Sequence, residues 1–154
     1  MVNQMNKLFT TTLLLILLSL SVGCTPSAKS EFGFRLPDGD ADMGRETFAY
    51  MQCNQCHTVV GETFPAIPLA DPPYVELGGN LSRIKTYGEL VTAIINPSHK
   101  LAAGYEAEKV SEGGESNMYV YNGYMTVQEL IDLVSFLQST YHVVPPVYQY
   151  RVYP

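Results

Sequence analysis

The 154 residues, 46 % apolar and 16 % charged, have the composition of an ordinary soluble domain, with room for one core and hardly for two. The formal net charge is −6, and without Lys7, which lies in a leading segment, 8 Lys and Arg stand against 15 Asp and Glu. Such a surface argues against a nucleic-acid partner and suits a partner with a basic docking patch, although the same charge also keeps a small domain in solution.

Residues 1–23 read as a signal peptide. Lys7 makes the start basic, and Leu8 to Leu20 is an apolar run interrupted by Thr10 to Thr12 and Ser19. It falls short of the roughly 20 apolar residues of a comfortable transmembrane helix. Ser21-Val22-Gly23-Cys24 resembles a bacterial lipobox, with cleavage before Cys24 and a lipid on its sulfur. Ser21 stands where lipoproteins usually have an aliphatic residue, and an ordinary secretory cut is the alternative. Residues 24–39 then form a tether from the lipidated Cys24, rich in Ser, Pro, Lys and Gly. Phe32, Phe34 and Leu36 alternate, so part of it is expected to lie against the domain.

The main domain is expected over residues 40–142. Asp40 or Asp42 can cap a first helix and complement its dipole. Gly44, Phe48 and Met51 share one face of it, and Gly44 calls for close approach of another helix. The helix leads into Cys53-Asn54-Gln55-Cys56-His57, a C-x-x-C-H sequence that attaches a c-type haem. Two thiols at this spacing reach two vinyl groups of one porphyrin edge, and the imidazole after the second thiol can bind the iron. A thioredoxin-like pair would need a βαβ unit, and half a zinc site would need further ligands; neither uses the adjoining His. With Cys24 lipidated and Cys53 and Cys56 holding haem, no thiol remains for a disulfide, and the haem itself places the protein outside the cytoplasm.

From Val59 to Gly79 the density of Pro and Gly predicts an ordered loop with no regular structure. Asn80 to Ile84 suits a turn. A helix follows over Thr86 to Ile95, with the capping box Thr86/Glu89, an apolar stripe of Leu90, Val91, Ile94 and Ile95, and Pro97 as its stop. Leu101 to Asn117 reads as a polar surface excursion. The last helix starts at the capping box Thr126/Glu129, stapled by Met125 and Leu130, and carries Leu130, Leu133, Val134, Leu137 and Tyr141 on one face. His142 is expected to be exposed. Residues 143–154 form a Pro/Tyr-rich tail, stopped from continuing the helix by Pro145 and Pro146, that either packs as a strand or docks a partner.

The order of these features, over about residues 40 to 142, resembles a small single-haem class I cytochrome c. Gly44-x-x-x-Phe48 precedes the haem motif, and a Pro/Gly loop, a short helix, a Met-bearing loop and a final helix follow. The resemblance implies an all-α, cytochrome c-like fold of about three to four helices around one covalent haem c. It also implies that the first and last helices cross at Gly44, with Phe136 as the aromatic packed there. A carbonyl at Pro72 or Pro73 would orient His57. It further implies a Met opposite His57 as second axial ligand. Met118 holds the family's place for it, although Tyr119 follows where the family usually has Pro. Met125 and His99 are the alternatives, the latter giving a bis-histidine iron.

These expectations describe an electron carrier rather than an enzyme. It would be lipid-anchored on the periplasmic side of a bacterial membrane, and Thr25 after the cysteine resembles sorting to the outer membrane. Periplasmic redox proteins would be its donor and acceptor. A haem-bearing subunit of a larger oxidoreductase, or a peroxide- or gas-binding haem protein with an open or bis-His iron, are the other readings. No catalytic Ser/His/Asp set, phosphate loop or basic patch stands out.

Overall fold

The computed structural model describes residues 34–68 and 75–144. The leader with Cys24, the first part of the tether with Phe32, the segment holding Pro72 and Pro73, and the tail past Val144 lie outside the described residues.

Helix α1, Ala41–Tyr50, starts where Asp40 accepts hydrogen bonds from the Asp42 and Met43 amides. Helix α2, Tyr87–Ile95, and helix α4, Val127–Ser139, begin with the two predicted capping boxes, each reciprocal. A short helix α3, Ala107–Val110, lies between them. Leu90, Val91 and Ile94 of α2 and Leu133, Val134, Phe136 and Leu137 of α4 join Phe48 and Val59 in one core. Phe48 and Val134 are almost wholly buried, and each such side chain contributes roughly 1.5–3 kcal/mol. Leu36 packs against this core, while Phe34 stays exposed.

The α1–α4 crossing is the tightest contact. A Cβ added at Gly44 would overlap the Asp132 carbonyl and stand 2.8 Å from Phe136 Cβ, so only glycine lets the two backbones meet. Phe136 sets its ring edge-on to Phe48, with centroids 5.8 Å apart. Asp132 is buried mid-helix because it accepts the Asp40 amide and the Gln128 side chain, both at 2.9 Å. Ser135 Oγ donates to the Gly39 carbonyl, so α4 also fastens the entry to α1.

Two expectations need correction. The Pro/Gly stretch is not wholly irregular. Strand β1, His57–Val59, pairs in parallel with β2, Val75–Leu77. Gly78, at φ +83°, turns the chain into β3, Gly79–Leu81, which pairs in parallel with β6, Tyr141–Val143. Tyr141 therefore lies half-buried in a strand and not on the last helix, which ends at Ser139. Pairing runs one residue past 142, and exposed His142 sits within it. The polar excursion lies mostly at the surface, as expected, and also has structure of its own. Val110 of α3 is buried, and a two-residue hairpin pairs β4, Ser111–Glu112, with β5, Glu115–Ser116.

Candidate functional site

At the end of α1 the chain must reverse within two residues. Gln52 does this with φ +58°, the one non-glycine residue with positive φ among the described residues. A 3-10 turn, Cys53–Gln55, follows, and the Cys56 amide donates to the Cys53 carbonyl at 3.2 Å. Both thiols therefore stand on a single turn. Gln55 holds Gln52 by a side-chain hydrogen bond of 2.8 Å, and Asn54 donates to the Pro65 carbonyl at 2.7 Å.

His57 opens β1. The Val75 amide donates to the Cys56 carbonyl at 2.8 Å, which sets the register and brings the Val75 carbonyl to 3.1 Å from His57 Nδ1. A carbonyl only accepts, so Nδ1 carries the proton and Nε2 keeps its lone pair. Burial lowers the imidazole pKa, against a smaller opposing effect of the Val75 bond. The ring is thus held as the neutral tautomer that a metal ligand requires. Pro72 and Pro73, expected to supply this carbonyl, lie outside the described residues, and the carbonyl that meets Nδ1 belongs to Val75.

A groove of about 500 Å³, a volume that includes open solvent, adjoins this ring. Cys53 and His57 line it together with Met118, Tyr121 and Met125 from the loop before α4. The rest of its wall is hydrocarbon, from Phe48, Leu77, α2 and α4. A flat, largely apolar macrocycle with two thioether points and an iron needing axial N or S donors suits this lining. Cys53 brings one attachment sulfur, His57 a nitrogen donor and Met118 a sulfur donor for the iron, while Cys56, three residues along the same turn, is not among the lining residues.

The thiols themselves argue the same way. Burial pushes Cys53 up to about 11, and burial also raises Cys56. Redox-active pairs depend on a lowered thiol pKa, so a thioredoxin-like role does not suit this environment. Among the described residues no three His, Cys, Asp or Glu come together as a metal site, which leaves the zinc reading without further ligands.

Of the sixth-ligand candidates, Met118 and Met125 both line the cavity. Met125 also packs against the core, whereas Met118 does not and is fixed by its amide donating to Ser116 Oγ at 3.2 Å. His99 is exposed at the end of a 3-10 turn, Pro97–His99, and is not among the cavity-lining residues. Sequence reasoning did not single out Tyr121 from its neighbours. Its hydroxyl donates to the Met51 carbonyl at 2.8 Å, tying the Met-bearing loop to the start of the haem motif. Burial raises its pKa first, and the thiols of Cys53 and Cys56 add to the rise. Neither the phenol's partner, 70 positions away, nor its burial has a local signature.

Among known families, the cytochrome c model matches residues 41–141. No curated protein and no solved structure matches the chain.

Proposed function

We infer the role from one premise: the chain belongs to the cytochrome c family, and is therefore a haem-based electron-transfer protein whose haem c is covalently bound. Beyond that premise, we propose a single-haem, lipid-tethered carrier of single electrons with His57 and Met118 as axial ligands. Cys53 and Cys56 would hold the porphyrin and Cys24 the membrane. The observation that carries the reading is the shared lining of one apolar cavity by Cys53, His57 and Met118.

The haem, when bound, supplies a one-electron couple between its two iron states. The protein's residues do the rest. Val75 aims His57, the hydrocarbon wall would enclose the porphyrin, and Met118 would offer a thioether sulfur to the iron, a donor that raises the potential relative to a second imidazole. With both His57 and Met118 bound to it, the iron would be closed to substrate, which suits a carrier and not a peroxidase or gas sensor. Met118 is preferred over Met125 because Met125 already serves the core. The net acidic surface favours basic redox proteins on the periplasmic side as donor and acceptor. The same arrangement would serve within a larger oxidoreductase complex.

Met118→Ala in the full-length haem-loaded protein tests the reading. The weak far-red band of Met-ligated ferric haem should vanish, and the reduced variant should bind carbon monoxide rapidly where the wild type does not. A variant that keeps the band, or a wild type that binds carbon monoxide at once, would rule out Met118 as the resting ligand.

A further inference from the structure

The proximal imidazole is aimed by a strand of only three residues, and such a strand needs support on both edges. On one edge β2 bonds to β1: the Val75 amide donates to Cys56, and the Leu77 carbonyl accepts from the Val60 amide at 2.9 Å. In this parallel register the main-chain groups of Glu76 point to the opposite edge. There the Glu76 amide is not left to solvent. It donates to the hydroxyl of Tyr105 at 2.9 Å. Tyr105 belongs to the loop entering α3, and the same stretch of chain continues through the β4–β5 hairpin to Met118.

We propose that Tyr105 is a positioning residue for the iron: by closing the free edge of β2 it holds the Val75 carbonyl on His57 Nδ1 and so tunes the reduction potential. This rests on the reading of His57 as proximal ligand. A firmly held Val75 carbonyl draws the Nδ1 proton, makes the imidazole a stronger donor and favours the oxidised iron. Releasing the outer edge lets the strand move away, weakens that bond and raises the potential. One stretch of chain then serves the site twice, with Tyr105 on the strand that orients the histidine and Met118 in the cavity lining. Tyr105 is 39 % exposed, so removing its hydroxyl leaves the core intact.

The test is Tyr105→Phe in the full-length haem-loaded protein, with Tyr124→Phe, a largely exposed phenol outside the cavity lining, as control. The readouts are solvent exchange of the His57 Nδ1 proton in the reduced protein by NMR, and the reduction potential. In Tyr105→Phe the exchange should quicken roughly five- to tenfold, the factor a typical single hydrogen bond supplies, and the potential should move positive. The far-red band should persist and Tyr124→Phe should behave as wild type. Unchanged exchange and potential in Tyr105→Phe, or equal changes in Tyr124→Phe, overturn the proposal while leaving His57 as ligand. If the wild type lacks an imidazole signal shifted by the haem, the proposal falls together with the reading beneath it.

Discussion

The α1–α4 crossing and the loop from Asn117 to Thr126 are built in opposite ways. At the crossing, four consecutive buried positions would be unusual for a surface helix, yet Ile131, Asp132, Leu133 and Val134 are buried in a row, with Phe136 and Leu137 beyond. In the loop no residue is fully buried, and Tyr119 and Tyr124 are mostly exposed. Its fastenings are hydrogen bonds, among them Tyr121 to Met51, Asn122 to the Ile95 carbonyl at 2.8 Å, Met118 to Ser116, and the Asn117 amide to the Val110 carbonyl at 2.9 Å. The loop presents a thioether to the cavity and belongs to the low-stability end of the molecule, where segments that must adjust to a bound group are found.

The largest effect should come from the crossing. Gly44→Val inserts a branched side chain where even a Cβ would overlap the Asp132 carbonyl. Neither backbone can yield without parting Phe136 from Phe48, so a loss of about 3 kcal/mol is expected. Urea unfolding of the haem-loaded protein measures it, and an unchanged midpoint would show that α1 and α4 do not meet as described.

The two methionines divide the comparison more finely, because they lie in one loop but serve different regions. Met125 packs against the core and stands at the staple position before α4. Met125→Ala should cost about 2 kcal/mol or more in stability and leave the far-red band in place. That is the reverse of what Met118→Ala should do spectroscopically. A Met125→Ala variant that lost the band with little change in unfolding midpoint would exchange the roles of the two residues.

What could be read from sequence follows the same division. The haem motif, the capping boxes and the crossing at Gly44 were legible because each signal sits within a few neighbouring residues or on one helix face. The parallel ladders were not. Three-residue strands at His57–Val59 and Val75–Leu77 carry too little alternation to be seen, and their partners are set by the fold. The family resemblance points to Pro72 or Pro73 for the orienting carbonyl, and the strand register gives it to Val75. Buried Asp132 was equally hidden, since the amide that satisfies it comes from Asp40 across the molecule. Met118 stands between these cases: its place in the chain order points to it, and the cavity it lines is shared with Met125.

The smallest predicted effect lies where the loop becomes the helix. Glu129 Oε2 accepts from the Thr126 amide and from the Thr126 hydroxyl, both at 2.7 Å. The amide bond, then the hydroxyl, holds the carboxyl below its ordinary range, with a weaker opposing effect of burial. A carboxylate whose pKa is lower folded than unfolded adds stability that is fully present above the unfolded value and is lost as the pH falls through the folded one. Glu129→Gln keeps a capping group but removes the charge. Its urea midpoint should lie below that of the wild type near neutral pH, and the two should converge on acidification. The group is exposed, so the difference should be small and should shrink with added salt. Equal midpoints at every pH would mean that the reciprocal bonds at the start of α4 contribute geometry alone. The entry of that helix would then be fixed by Met125 and Leu130 from the core side, which ties the loop to the crossing more closely than its hydrogen bonds do.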